Sequence, residues 1–399
     1  MTGVRKKTVR DVDVDGRRVL VRVDYNVPLE PDSGKVLDDT RIKATLPTIE
    51  YLRERGAKVI LASHLGRPKG KREPSLSLLN VAERLSELLG STVKTTGCCC
   101  GPEVQEAAHS LERGEVLLLE NLRFHAEEEA NDPEYAKALA SLAEVYVNDA
   151  FGTAHRAHAS TEGVTRYLPA VAGLLMEREL EYLGRAMADP ERPYAAIIGG
   201  AKISTKMAVL ESLLERVDKL LIGGGMANTF LKAEGFYVGE SLAEDDFLER
   251  ARKVMERAGE KRVTLLLPAD VIVADRFAAD AQAKRVSIKD VPEGWRIMDV
   301  GETTLDVFAK ALEGSRTVIW NGPMGVIEFG PFAHGSHRLA AVVANLKDAM
   351  TILGGGETIA VVEQLGIASR FTHVSTGGGA ALEFLEGREL PGVAALADA

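Results

Sequence analysis

Four arginines and four glycine clusters carry most of the chemistry that can be read from this chain. Arg67, Arg123 and Arg156 stand just beyond apolar runs, Arg41 stands at the start of a helical stretch, and His64, His125, His155 and His158 stand among them. A guanidinium fork matches a carboxylate or phosphate with two hydrogen bonds at once, so this set predicts a pocket for a small, multiply anionic molecule. The second half has glycines at the equivalent places: Gly199-Gly200, Gly223-Gly224-Gly225, Gly354-Gly355-Gly356 and Gly377-Gly378-Gly379. Glycine lets a backbone come close to an anion, and a helix N-terminus presents unpaired N–H groups, so these turns predict convergence on a polyphosphate. Lys202 and Lys206, four apart, are expected to share one helix face behind Gly199-Gly200. Taken alone, that segment also reads as a βα turn with solvated lysines. No G-x-x-x-x-G-K-[ST] loop occurs.

Other segments leave alternatives open. Glu357 and Thr358 offer hard oxygens suited to Mg²⁺ beside phosphates, or Glu357 only complements a helix dipole. The stretch Trp320-Asn321-Gly322-Pro323-Met324-Gly325-Val326-Ile327-Glu328 reads as a nucleoside pocket or as a Pro/Gly turn with a buried Trp. Glu127-Glu128-Glu129 reads as a solvated helix start. Cys98, Cys99 and Cys100, odd in number and without C-x-x-C spacing, form no disulfide framework and are taken as packing or incidental residues in a reducing compartment.

Apolar runs alternate with amphipathic stretches, the pattern of βαβ units and parallel sheets. Strands are expected near 19–23, 59–62, 116–119 and 145–148 in the first half, and near 194–198, 219–222, 264–267, 317–320, 351–353 and 372–375 in the second. A helix over 76–89 stops at Gly90. The result is an α/β protein of two doubly wound, Rossmann-like parallel-sheet lobes. The expected division is 1–171 for the first lobe, 172–188 for a connecting helix and 189–385 for the second lobe. In open parallel sheets ligands bind beyond the carboxyl ends of the strands, where the arginines and glycines stand.

The 399 residues suit two cores. An apolar fraction of 45% with 27% charged residues is that of a soluble globular protein, and a net charge of −10 argues against nucleic-acid or anionic-membrane partners. Met1-Thr2-Gly3-Val4-Arg5-Lys6-Lys7 has no apolar core behind it, and no apolar run approaches about 18 residues, so a cytoplasmic protein with no membrane span is expected. A nicotinamide dehydrogenase would need a G-x-G-x-x-G turn, which is absent. A non-catalytic two-lobed nucleotide-binding protein is the remaining alternative.

In their order along the chain, Asp24-Tyr25-Asn26-Val27-Pro28, Ser63-His64-Leu65-Gly66-Arg67-Pro68 and the segments 120–124, 149–158, 199–206, 320–328, 354–358 and 375–380 resemble those of the phosphoglycerate kinase family. The resemblance covers essentially the whole chain. It implies a hinge-bending, monomeric, glycolytic enzyme with its active site in the interlobe cleft. That enzyme moves a phosphoryl group reversibly between ATP and the carboxylate of 3-phosphoglycerate, with Mg²⁺, giving 1,3-bisphosphoglycerate and ADP. It also implies that the tail 386–399 returns to the first lobe.

Carried over by the resemblance, Asp24, Tyr25, Asn26, His64, Leu65, Gly66, Arg67, Arg123 and Arg156 hold the acid and its phosphate, with Arg41 beside the reacting carboxylate. Lys202 resembles the group that stabilises the phosphoryl in flight, together with the turns at Gly356 and Gly379. Gly199, Gly200, Lys206, Gly224, Gly225, Ile297, Asn321, Val326, Glu328, Gly355, Gly356, Glu357 and Thr358 resemble the nucleotide segment, with Glu357 as the metal ligand. Two positions depart from the family pattern. Glu357 stands where Asp is usual, and Ile297-Met298-Asp299 stands where Gly-Leu-Asp is common. A carboxylate acceptor is already ionised at pH 7, so no general base is required.

Overall fold

A computed structural model describes residues 5–399. Residues 1–4, on which part of the reading of the first seven residues rests, lie outside the described residues. Residues up to Glu181 pack with Glu389–Ala399 as one compact unit, and Tyr182–Arg388 form a second. The division falls inside the helix Leu174–Ala188. Among the described residues no helix is long and apolar enough to cross a membrane.

The first unit is built on six parallel strands: β1 (Arg18–Arg22), β2 (Lys58–Ala62), β3 (Val93–Thr95), β4 (Val116–Leu118), β5 (Val145–Asn148) and β6 (Ala170–Ala172). Their order is β3-β4-β2-β1-β5-β6. Val19, Val21, Val59, Leu61, Val116, Leu118, Val145 and Val147 are all buried, as strands covered by helices on both faces must be. The helix Leu79–Leu89 ends at Gly90 with φ +62°, a left-handed cap that a residue with a side chain adopts only at a cost. The last residues close this unit. Ala397 N–H donates to Ala170 O at 3.0 Å, Lys7 N–H to Ala397 O at 2.8 Å, and Asn148 Nδ2 to Gly392 O at 3.0 Å.

The second unit has the parallel strands β7 (Tyr194–Ile198), β8 (Lys219–Ile222), β9 (Thr264–Leu266), β13 (Thr317–Asn321), β14 (Met350–Gly354) and β15 (His373–Val374), in the order β15-β14-β13-β7-β8-β9. Progression reverses between β7 and β13, and the crevice at such a switch point is where open α/β sheets bind ligands. Between β9 and β13 the chain builds a separate antiparallel sheet, β11-β10-β12, from β10 (Asp270–Ala274), β11 (Ala283–Ser287) and β12 (Arg296–Val300). None of its three strands was among those expected: β11 is largely exposed and carries no apolar alternation, whereas Val271-Ile272-Val273 in β10 is an apolar run of the kind that marks a strand.

Two further expectations are corrected. The helix expected behind Gly199-Gly200 starts only at Met207, so Lys202 lies in a loop and Lys206 at the N-cap position, without a shared helix face. Within Glu127-Glu128-Glu129, Glu128 is fully buried instead of solvated.

Candidate active site

In the first unit, segments following the strand ends bring cations together around one imidazole. His64, buried just after β2, takes a hydrogen bond on Nδ1 from Arg22 Nη2 at 3.1 Å, with Asp24 Oδ1 3.8 Å away. Burial, then the charges of Arg22, Arg123, Arg156 and Arg41, hold His64 well below the usual imidazole range. It is therefore neutral, and with Nδ1 accepting, Nε2 carries the proton. Arg41 Nη1 reaches Asp24 Oδ2 at 2.7 Å. Asn26 Oδ1 accepts from Gly66 N–H at 2.8 Å, and Arg123 Nη1 donates to Gly66 O at 2.8 Å, which fixes the turn carrying the exposed Arg67.

Arg123 is only 3% exposed, yet its Nε and Nη2 have no hydrogen-bond partner; Glu129 lies 3.3 Å from Nε outside hydrogen-bonding geometry. A buried guanidinium with idle donors is costly unless an anion completes it. Asn121 builds the neighbouring loop, accepting from Leu65 N–H at 3.2 Å and Arg123 N–H at 3.1 Å and donating to Leu65 O at 2.7 Å. His158, pushed down to about 4 by burial and by Arg123, Arg22 and Arg156, is neutral beside Arg156, which is half-buried.

In the second unit a cavity of about 420 Å³ opens beyond β7, β8 and β13. That volume suits a small-molecule ligand. Val271, Phe277, Ile297, Met298, Met324 and Val326 give it apolar walls, while Glu240, Glu328 and Glu357 bring carboxylates and Gly200, Gly224 and Gly225 its glycine-lined side. The antiparallel sheet supplies Ile297 and Met298, with Ile297 N–H donating to Ser241 Oγ at 2.8 Å. Asp299, also in the wall, accepts from Gly335 and Val300 N–H groups at 2.8 Å each, and burial pushes it up to about 7.

Lys206 donates to Asn321 Oδ1, and burial pushes its amine down to about 8 despite the Glu357 charge nearby. Glu244 pins the loop carrying Lys202: it accepts from Ser204 N–H at 2.9 Å and Oγ at 2.6 Å. The helix Gly356–Gln364 has no side-chain cap, so its first turn can meet an anion.

The family model described as phosphoglycerate kinase matches residues 9–388. A phosphoglycerate kinase of Synechococcus elongatus is 61% identical over 392 residues, 97% of each chain. One of Moorella thermoacetica is 58% identical over 393 residues, 98% of this chain and 99% of that one. The solved phosphoglycerate kinase of Coxiella burnetii superposes with a TM-score of 0.88 at 43% identity, covering 98% of both chains.

The chain belongs to the phosphoglycerate kinase family.

It is thus a phosphotransferase with a carboxyl group as acceptor, on the two parallel-sheet lobes of that family. Against the residues expected from the family pattern, the structure groups Asp24, Asn26, Arg41, His64, Gly66, Arg67, Arg123 and Arg156 in one unit, and Lys206, Asn321, Val326, Glu328, Ile297 and Glu357 in the other. Several others stand differently from expectation. Tyr25 is fully buried with its hydroxyl 2.9 Å from Thr45 Oγ1, and Leu65 is buried too, so neither side chain faces a ligand.

Gly199 marks a close crossing of backbones. A Cβ there would lie 2.2 Å from Pro323 O, and its N–H, like that of Gly200, is spent on β13 and the turn after it. Thr358 turns its hydroxyl to accept from Gly322 N–H at 2.7 Å, organising the loop instead of offering a metal oxygen. Trp320 is fully buried, its Nε1 donating to Gly322 O at 2.8 Å; the pocket begins beyond it at Pro323.

Sequence reasoning missed Arg22 and Glu128. Arg22, 1% exposed, donates to Ser160 Oγ at 2.9 Å, and Ser160 N–H and Oγ donate to the buried Glu128. A charge inside the run Val19-Leu20-Val21-Arg22-Val23 was the available signal, since a buried charge must be paired.

Proposed function

We propose that this chain catalyses reversible phosphoryl transfer between ATP and the carboxylate of 3-phosphoglycerate, holding the acid on the first unit and the nucleotide on the second. The observation that carries the assignment is Arg123, a buried fork with idle donors in a cationic cluster, in the same chain as a nucleotide-sized cavity edged by glycine turns and Lys206. In this reading Arg123, Arg156, Arg67 and the Nε2–H of His64 bind the 3-phosphate, Asp24 and Asn26 hold the glycerate hydroxyl end, and Arg41 leaves Asp24 to face the reacting carboxylate. Ile297, Met324 and Val326 pack on the base, and Glu328 takes the ribose hydroxyls. Lys206 and the uncapped helix start at Gly355 and Gly356 meet the phosphates, while Gly200 and Gly224, whose N–H groups are already bonded, leave room for them without side chains. Lys202, with the turn at Gly379, neutralises the transferring group. No proton needs to be abstracted from an ionised acceptor. We read the protein as monomeric and cytoplasmic.

Mg²⁺ fits the glycine-lined side of the cavity on the chemistry of its donors: Glu357 is an exposed carboxylate there, in the first turn of an uncapped helix. Glu357 would hold the ion together with phosphate oxygens and water, and the ion would supply charge neutralisation along the phosphates. The decisive experiment is turnover with ATP, 3-phosphoglycerate and Mg²⁺, each omitted in turn. Absence of turnover with all three present overturns the assignment.

Two predictions follow from the cavity. Glu357→Ala raises the Mg²⁺ and nucleotide requirements together, while Glu357→Asp stays within about tenfold of the parent, under about 1.4 kcal/mol. An unchanged Mg²⁺ dependence in the alanine variant would leave Glu357 with only a helix-dipole role. The second concerns pH. Lys206 loses its proton near pH 8 in the free protein, whereas a bound polyphosphate favours the charged amine. Binding above that pH must therefore take up a proton. The nucleotide KM is flat below about pH 8 and climbs above it, by at most about tenfold per pH unit. Lys206→Arg, charged throughout, flattens that rise. A nucleotide KM indifferent to pH between 7 and 9.5 in the parent would remove Lys206 from the phosphates.

A further inference from the structure

Outside the phosphotransfer site, the fold assembles a group that the cysteine spacing alone did not reveal. Cys98, Cys100 and His125 each offer one ligand atom, and these atoms lie within 4.8 Å of one another. Cys98 Sγ is 3.4 Å from His125 Nε2. In a tetrahedral zinc site with Zn–S of about 2.3 Å and Zn–N of about 2.0 Å, the edge between a sulfur and a nitrogen is about 3.5 Å, so this pair already stands at ligand separation.

The three cysteines are not equivalent. Cys99 is fully buried and donates its thiol to Glu120 O at 2.8 Å, whereas Cys98 and Cys100 are half-buried and close to the half-buried His125. The C-x-C spacing therefore turns the outer two sulfurs to one place and the middle one away from it. Neither partner is loose. Thr96 Oγ1 donates to Cys98 O at 2.7 Å, and the His125 ring packs on Tyr135 with centroids 5.2 Å apart, which aims Nε2.

We propose that Cys98, Cys100 and His125 form a binding site for a thiophilic d¹⁰ divalent cation, Zn²⁺ in the first instance, with the fourth position open to solvent. Two thiolates and an imidazole select Zn²⁺ over Mg²⁺, which takes oxygen ligands. Cysteine binds Zn²⁺ as the thiolate, so binding displaces thiol protons into solvent. Partial exposure of all three residues gives the ion a way in. Occupancy would tie the 98–100 segment to the end of the Leu122–Phe124 turn that carries Arg123, since His125 N–H bonds Leu122 O at 3.2 Å.

The test uses the full chain, reduced and freed of metal, titrated with Co²⁺ and then Zn²⁺. The expected result is one equivalent of Co²⁺ per chain, with a thiolate-to-cobalt charge-transfer band and tetrahedral d–d absorption, both abolished by one equivalent of Zn²⁺. Proton release should accompany binding, and saturating Zn²⁺ should raise the melting temperature. Cys98→Ser, Cys100→Ser and His125→Gln each weaken Zn²⁺ binding, read by competition with a chromogenic chelator, by at least about tenfold. Cys99→Ser keeps the stoichiometry and the spectrum. Circular dichroism on every variant shows whether it is folded, and His125→Gln, which removes no thiol, serves as the variant least exposed to misfolding. Absence of the charge-transfer band at one equivalent, or a band and affinity unchanged in His125→Gln, overturns the site.

Discussion

Replacing Lys202 with alanine lowers kcat by about 10²-fold or more, while the KM for either substrate moves only a few-fold. The magnitude is that of removing one preorganised donor from a developing charge. The direction follows from where the residue stands. Lys202 is exposed, on the loop between Gly200 and Met207, with Thr205 Oγ1 donating to its carbonyl at 2.9 Å and Glu244 fastening Ser204 two residues on. Its backbone is thus positioned while its amine makes no buried contact, so truncation leaves the fold and the binding surfaces intact. Steady-state kinetics with both substrates varied, together with a melting curve, check it. A raised KM at unchanged kcat would show that Lys202 binds ground state and transition state alike.

Arg123→Ala acts on the other substrate. The side chain clamps Gly66 O and presents two idle donors from a nearly enclosed position. Losing it costs about 2–5 kcal/mol of anion binding, the range for truncating one side of a buried charge pair. The 3-phosphoglycerate dissociation constant rises by about 30-fold or more, and nucleotide affinity stays within about twofold. Arg123→Lys recovers only part of the loss, because a point charge does not reproduce the fork. Calorimetric titration with 3-phosphoglycerate decides it. An unaltered affinity in Arg123→Ala would mean that the anion sits elsewhere in the cluster.

Most of the parallel strands were legible because each is a short run of β-branched and aliphatic residues, and their order placed Asp24, His64, Arg123 and Arg156 at equivalent ends of one sheet; β3 and β6, three residues each and at the two edges of that sheet, were not among those expected. What escaped was set by contacts distant in sequence. In the antiparallel sheet behind Ile297, the exposed β11 has no apolar alternation, so periodicity had nothing to register in that strand. Tyr25 and Thr358 carry polar groups that suit a ligand as well as a neighbour, and only the structure shows those groups already engaged, with Thr45 and with Gly322. Arg22 and Glu128 were hidden for a related reason: charges in or beside apolar runs read as surface until the partners that neutralise them, here reached through Ser160, are brought alongside. Cys98 and Cys100 lacked metal spacing until the fold added His125.

The closing of the first unit by Glu389–Ala399 has a consequence for biosynthesis. A ribosome makes that segment only after all of Tyr182–Arg388, so the first-made unit is the last to be completed. While the second unit can acquire its full set of contacts as soon as its own stretch has left the tunnel, the first must wait with β6 lacking Ala397 and Asn148 lacking Gly392. The nascent chain therefore carries an unfinished sheet edge through the synthesis of roughly half its length, the kind of surface that invites wrong pairing. The order of translation, more than the stability of either unit, sets how long that edge stays open.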